Sequence, residues 1–197
     1  MLIVSDSDPL FPPRPTALAH QILRPLIRSG DSVIDATAGN GYDTIFLAEC
    51  VGSSGKVVAF DIQEAAIASA KSRIIAAGWI QRVDFFQQSH VQMVDHSAVE
   101  SIALIMFNLG YLPGEDHAVT TESAETLRAL RIAVGLLKPG GVISVICYPG
   151  HTSGAVEAAA VEIWATSLAV SGWRIAKYGA VGTRRPAPFL LLVSKSC

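Results

Sequence analysis

The stretch Val33-Ile34-Asp35-Ala36-Thr37-Ala38-Gly39-Asn40-Gly41-Tyr42-Asp43-Thr44 constrains the fold of this chain more than any other. An apolar run ends near an acid, passes through two glycines and enters a helix-forming segment. That order reads as a buried strand, a tight turn and a helix, the opening unit of a nucleotide-binding α/β sheet. Gly39 and Gly41 let the backbone turn sharply and approach a ligand closely. Twenty residues beyond Gly41, Asp61 ends a second apolar run, where a carboxylate can accept both hydroxyls of a ribose. Taken alone, the glycine pair is equally a tight turn capped by Asn40 or Asp43.

The rest of the chain alternates in the same way. A proline-rich arm, Pro9–Pro15, leads into a helix over Thr16–Arg28 that is interrupted near Pro25. Strands are expected at Ser32–Ala36, Lys56–Asp61, Arg82–Gln87, Ser101–Asn108 and Val142–Tyr148. Helices are expected to open at Asp43–Glu49 and to cover Glu64–Ala77, Thr121–Leu137 and Gly154–Val170. Lys138-Pro139-Gly140-Gly141 is a helix stop and turn. Two closing strands, Arg174–Tyr178 and Phe189–Val193, are joined by Gly179–Pro188. That link is too short for a helical crossover, so the final pair must be antiparallel. The expected fold is a single α/β domain over residues 1–197, with residues 1–15 as an arm. It is Rossmann-like, with a mostly parallel seven-stranded sheet, helices on both faces and an antiparallel last strand.

Half of the residues are hydrophobic and mean hydropathy is +0.40, as expected where strands are buried on both sides. No apolar run reaches the roughly 18 residues of a membrane span, and Glu157 and Glu162 interrupt the alanine-rich segment near the end. The net charge of −2 speaks against a broad electrostatic grip on nucleic acid, though not against a local basic patch. Cys50, Cys147 and Cys197 lack metal-ligand spacing and are odd in number, so no metal site or disulfide framework is implied. A reducing compartment fits: cytoplasmic, or plastid or mitochondrial if a transit peptide has been removed.

Two cofactor classes use such a turn. The dinucleotide fingerprint wants a further small residue three positions after Gly41, but Thr44 stands there. A methyl donor such as S-adenosylmethionine carries a sulfonium and an ammonium and no pyrophosphate, and Asp35 and Asp43 suit that charge. After the third strand, Ser89 can hydrogen-bond an adenine amino group and His90 can stack beside it, unless Gln88-Ser89-His90 is merely a polar loop. The cofactor contacts expected on this layout are Asp35, Thr37, Gly39, Asn40, Gly41, Asp43, Thr44, Asp61, Ile62, Gln63, Ser89, His90 and Asn108.

The fourth strand ends in Asn108 and spills into Leu109-Gly110-Tyr111-Leu112-Pro113-Gly114, which should face the transferred methyl. An Asn followed by an aromatic resembles the Asn-Pro-Pro-Tyr type motif of amino-group methyltransferases, with Leu109-Gly110 in place of the prolines. In such enzymes the Asn carboxamide and nearby carbonyls accept hydrogen bonds from the amine nucleophile. Asn108 is otherwise a strand-end cap, and Tyr111 otherwise packs on the sheet. After the fifth strand, Tyr148-Pro149-Gly150-His151 offers an imidazole whose ordinary pKa of about 6.5 suits it to take an amine's proton. His151 is alternatively exposed or a cap for the next helix. Tyr111 and Tyr148 could sandwich an extruded base. Arg184 and Arg185, and Arg14 in the arm, are candidate phosphate contacts or plain surface. Thr120 reads as a helix N-cap.

Asp35-Ala-Thr-Ala-Gly-Asn-Gly41, Phe107-Asn-Leu-Gly-Tyr-Leu-Pro-Gly114, Thr120-Thr121 and Cys147-Tyr-Pro-Gly-His151 together resemble one family, over about residues 16–195. It was once labelled a putative rRNA methylase family and is now associated with methylating 5-aminomethyl-(2-thio)uridine at the tRNA wobble position. The resemblance implies an S-adenosylmethionine-dependent methyltransferase that acts on this exocyclic amine in a tRNA anticodon stem-loop to give 5-methylaminomethyl-uridine. Catalytic roles then fall to Asn108, Tyr111 and His151, and substrate contacts to Tyr111, Pro113, Gly114, Tyr148, His151, Arg184 and Arg185. No metal and no membrane partner are expected, and a homodimer is left open. The rivals are a methyltransferase of a small metabolite or of rRNA, and an NAD-binding Rossmann oxidoreductase or non-catalytic module.

Overall fold

The computed structural model describes residues 13–110 and 123–196. Its strands are β1 (Ser32–Asp35), β2 (Lys56–Asp61), β3 (Val83–Gln87), β4 (Ile102–Asn108), β5 (Leu137–Cys147), β6 (Arg174–Gly179) and β7 (Phe189–Ser194). They form one seven-stranded sheet in the order β3-β2-β1-β4-β5-β7-β6. Strands β3 to β5 run parallel, whereas β7 inserts between β5 and β6 antiparallel to both. The chain builds outward from β1 to β2 and β3, then jumps back to place β4 on the other side of β1. The helices that follow β1 and β4 therefore diverge, and a crevice opens at the carboxyl ends of these two strands.

The helices are α1 (Pro15–Leu23), α2 (Tyr42–Val51), α3 (Glu64–Ala76), α4 (Met93–His96), α5 (Ser123–Leu136) and α6 (Thr152–Ala169). Two buried clusters, one on each sheet face, show how they divide. Ala19 and Leu23 of α1, Phe46 and Leu47 of α2, and Ala70 and Ile74 of α3 pack on Val33, Val57 and Leu104. Met93 of α4, Leu130 and Ala133 of α5, and Val161 and Ala165 of α6 pack on Ile34, Ile105, Val145 and Val193. Successive strand residues point to opposite faces, so the unbroken apolar run of β4 supplies both clusters.

A bulge shapes the start of β4: Ser32 pairs with Ile102 but Val33 with Leu104. Ala103 is the extra residue, and it shares a face with Leu104. Opposite it, Ile102 pairs with Leu137 and Leu104 with Val142, so Lys138–Gly141 loop out within β5, with Gly140 at φ 75°. The sequence places Leu137 at a helix end and starts the strand at Val142. In the structure the helix stops at Leu136 and the turn becomes a bulge inside the strand, because Leu137 is fully buried in the core.

Smaller differences lie at element ends. β1 stops at Asp35, although the Ala36 N–H still donates to Met106 O at 2.8 Å. A 3-10 turn occupies Ile80–Arg82, so β3 starts at Val83, and α4 has no counterpart in the sequence reading. The helix break near Pro25 is a 3-10 turn over Arg24–Leu26. Thr120, Thr121 and part of the arm lie outside the described residues.

Candidate active site

The neighbouring strands β2, β1, β4 and β5 bring Asp61, Asp35, Asn108 and Tyr148 to one edge of the sheet. Asp35 is fully buried. The Thr44 hydroxyl donates to its Oδ2 at 2.5 Å and the Thr37 N–H to its Oδ1 at 3.2 Å. Burial and then the charge of Asp43 push its carboxyl up to about 7, against the pull of these two hydrogen bonds. Asp35 is thus a carboxyl whose ionisation a nearby cation would favour.

Asp43, buried in the first turn of α2, ties three elements together. Its Oδ1 lies 2.6 Å from Nε2 of His20 on α1, and Nδ2 of Asn108 donates to its Oδ2 at 3.3 Å. The His20 ring stacks on Phe46 with centroids 4.0 Å apart and planes 5° apart. Asn108 is held from the other side as well, because its N–H donates to Thr37 Oγ1 at 2.7 Å. The Tyr148 hydroxyl hydrogen-bonds the Asn108 side chain, and burial followed by the Asp43 charge raises its pKa. The Tyr148 ring lies against Gly110, where an added Cβ would come within 3.4 Å of it.

The glycine turn is held by its neighbours. Asp61 accepts the Gly39 N–H at 2.9 Å on Oδ2 and the Gln63 N–H at 3.0 Å on Oδ1. Gly41 adopts φ 79°, and a Cβ there would meet the Cα of Ala70 at 2.7 Å. Glycine is required at this position by the backbone of α3 as well as by the turn. Ser69 Oγ donates to Asn40 Oδ1 at 3.3 Å and Arg73 Nε to Asn40 O at 2.8 Å. Asn40 therefore serves as an anchor to α3.

Beyond β3, Ser89 caps a 3-10 turn by accepting the Val91 N–H, and its hydroxyl donates to Glu125 of α5. With its proton committed to Glu125, one lone pair of Ser89 remains for an adenine amino group. His90 is buried, edge-on to Phe107, and bonded to the backbone of Ala36. Burial lowers its pKa against the opposing pull of Glu125, Ala36 and Asp61. The imidazole is therefore neutral near pH 7.

The residues at this edge fit a nucleoside with a cationic tail. His90 Nε2 and Gln63 Oε1 are buried and find no hydrogen-bond partner among the described residues. Such orphans are costly unless a ligand or water meets them. Ile62, next to Asp61, is 56% exposed, as a side chain that lies under a flat base would be.

His151 is the N-cap of α6: its Nδ1 accepts the Gly154 N–H at 3.1 Å and lies 3.0 Å from Ser153 Oγ. A neutral ring with Nδ1 accepting carries its proton on Nε2. The cap, one of the readings the sequence offers for His151, is thus present. Arg184 and Arg185 are exposed on the loop between β6 and β7, where Thr183 Oγ donates to Arg185 O at 2.7 Å. β7 runs antiparallel to β5, pairing Phe189 with Cys147. The arginine loop therefore lies at the same sheet edge as Asn108 and near Gly150, whose added Cβ would be 3.8 Å from Pro186 O. Arg14 directly precedes α1 as its N-cap residue, without a side-chain capping hydrogen bond. Tyr111, Pro113 and Gly114 lie outside the described residues.

The family model described as "Putative rRNA methylase" matches residues 57–194. A tRNA (mnm(5)s(2)U34)-methyltransferase, chloroplastic, of Arabidopsis thaliana is 38% identical over 189 residues, covering 91% of this chain and 69% of that protein. The chain belongs to this methylase family. Its class is that of the S-adenosylmethionine-dependent methyltransferases with a Rossmann-like sheet. The crystal structure of a putative rRNA-methylase from Clostridium thermocellum superposes with a TM-score of 0.90 at 33% identity, covering 94% of this chain and all of that one. The structure of a methyltransferase from Streptococcus mutans in complex with SAH gives a TM-score of 0.81 at 31% identity, covering 92% and 98%. A model of isoaspartate O-methyltransferases matches residues 7–95, the part of this methylase that carries Asp35 to His90. Among the described residues no helix is long and apolar enough to cross a membrane.

Sequence reading missed His20, Glu125, Ser69 and Arg73. Each lies on a helix remote in sequence from the residue it holds, so only the tertiary pairing exposes its role. Glu125 carries a weak signal, as an acid in the first turn of a helix, but nothing in the sequence ties it to Ser89.

Proposed function

We propose that this methylase transfers a methyl group from S-adenosylmethionine to the exocyclic amine of 5-aminomethyl-(2-thio)uridine at the wobble position of tRNA, giving 5-methylaminomethyl-uridine. The observation that carries the reading is Asn108, fixed at the carboxyl end of β4 by Asp43 and Thr37 beside the donor crevice. The Arabidopsis relative, named as a tRNA (mnm(5)s(2)U34)-methyltransferase, supports the choice of substrate.

S-adenosylmethionine supplies an activated methyl on a sulfonium. Asp61 would hold the ribose hydroxyls, with Gly39, Gly41 and Ile62 lining the nucleoside and Gln63, Ser89 and His90 offering acceptors at the base and sugar. Asp35 and Asp43, supported by Thr37, Thr44 and Asn40, offset the cationic tail. Asn108 faces Asp43 with its NH2 group, and its carbonyl oxygen would accept an N–H from the substrate amine. That contact would aim the nitrogen lone pair at the methyl, and orientation of this kind supplies most of the rate when the donor is already activated.

The amine must lose a proton before it attacks. Enclosure beside Tyr148 and Asn108 disfavours the ammonium form and lowers its pKa. His151, at the start of α6 on the same sheet edge, would face the substrate, and Arg184 and Arg185 would meet anticodon phosphates. Tyr111, Pro113 and Gly114 complete the pocket in this reading. The partner is the tRNA anticodon stem-loop, and a single domain acts without metal. The setting is cytoplasmic or plastid.

The test is mass spectrometry of tRNA nucleosides after incubation with isotope-labelled donor. Label in 5-methylaminomethyl-uridine is the expected result. Label on a ring nitrogen or carbon, or in a small metabolite only, would overturn the substrate while leaving fold and cofactor in place.

A further inference from the structure

We infer that His20 is a positioning residue for methyl transfer: through Asp43 it sets which side of the Asn108 carboxamide faces the substrate. A carboxylate offers only acceptors, so each of its neighbours must turn a hydrogen toward it. Asp43 Oδ1 is 2.6 Å from His20 Nε2, and Oδ2 takes the Asn108 Nδ2–H at 3.3 Å. Asn108 therefore points its nitrogen at Asp43 and its oxygen away, the orientation in which it can accept an amine hydrogen. Without His20, the Asp43 carboxylate is free to rotate about its Cβ–Cγ bond, and the carboxamide loses the contact that turns its nitrogen toward α2 and keeps only the Tyr148 hydroxyl. The ring is itself fixed by its stack on Phe46, 4.0 Å between centroids. A helix outside the nucleotide-binding turn thereby reaches the reacting edge of the sheet.

The inference rests on the reading of Asn108 as the group that meets the amine, and the experiment separates the two. His20→Phe keeps a flat ring for the stack and removes the N–H, whereas His20→Gln keeps an N–H near the Nε2 position. Single-turnover methylation of tRNA bearing 5-aminomethyl-2-thiouridine is measured at saturating donor, with affinity for S-adenosylhomocysteine measured by calorimetry. His20→Phe should slow the chemical step about tenfold or more with ligand affinity within twofold, and His20→Gln should recover to within about threefold of wild type.

A His20→Phe rate within twofold of wild type overturns the inference. So does equal impairment of both variants, since the ring rather than its N–H would then matter, and so does a loss confined to ligand affinity. If the wild-type protein does not methylate this tRNA, the substrate reading fails. The Asn108 side-chain amide resonances then decide the inference without any substrate. Displacement in His20→Phe and return in His20→Gln uphold it, and unmoved resonances overturn it. The same resonances decide the matter from His20→Gln alone if His20→Phe does not fold.

Discussion

Asp35→Asn isolates the cost of a buried acid at the heart of the site. In the ligand-free protein this carboxyl is fully buried and its pKa is pushed up from 3.8 to about 7 by burial and the charge of Asp43. Between those pH values the folded protein holds a proton that the unfolded chain has lost. The group's stabilising contribution is therefore complete below about pH 3.8 and is lost as pH rises through about 7. Asparagine has the shape of the protonated carboxyl and does not titrate, and the Thr44 hydroxyl can turn to accept its NH2. Any fixed packing difference between the two proteins is independent of pH. The unfolding free energy of Asp35→Asn minus that of wild type should therefore grow by a little over ~1 kcal/mol per pH unit across pH 5 to 7. It should then level off, for a total of roughly 2.5 kcal/mol between pH 5 and 8. Urea unfolding followed by circular dichroism at four pH values and constant ionic strength measures it. A difference that stays flat across this range would refute the raised pKa.

Asp61→Ala should weaken S-adenosylhomocysteine binding by about 2–3 kcal/mol, as expected for loss of charge-assisted hydrogen bonds to two hydroxyls. Equal affinity in the folded variant, read by calorimetry, removes Asp61 from the cofactor site. Gly41→Ala should lower stability by about 1–3 kcal/mol in urea unfolding, because its Cβ would strike Ala70 at 2.7 Å. An unchanged midpoint would contradict the close approach of α3. Arg184→Ala and Arg185→Ala should each reduce the slope of log affinity for tRNA against log salt by about one unit if they meet phosphates; unchanged slopes place both on inert surface. His151→Ala should cost about 1 kcal/mol of stability through the lost cap and leave the shape of the rate–pH profile intact. Loss of rate mainly at neutral pH, with recovery at alkaline pH, would instead make His151 the proton acceptor.

Much of this fold is visible in the sequence because its strands are buried on both faces and its helices on one. Unbroken runs such as Ile102–Phe107, too short for a buried helix of ordinary length, read as central strands, and the short Gly179–Pro188 link forces the last pair to be antiparallel. Missed boundaries have a common cause. Leu137 joins β5, and Ala103 is bulged, because the core takes up their apolar side chains wherever the chain can reach it. Local signals such as Lys138-Pro139-Gly140-Gly141 mark a turn but not whether the turn interrupts a strand or precedes one.

The site divides along similar lines. Asp35, Asp61 and Asn108 are legible because each ends a strand at the switch point, and strand ends are fixed by the sheet. Ser89 and His90 follow a strand end too, yet the sequence leaves open whether they meet an adenine or form a polar loop. What distinguishes His90 is burial with one bare ring nitrogen, and that depends on Phe107 and Ala36 closing around it. The residues that orient the site are the least visible. His20 is one histidine in an ordinary amphipathic helix until α1 packs over α2 and brings it to Asp43. A sequence pattern records which side chains face inward, but a hydrogen bond between two helices depends on their relative placement. The network from His20 through Asp43 to Asn108 is thus a tertiary property, and it ties the reactivity of the β4 edge to the docking of the first helix.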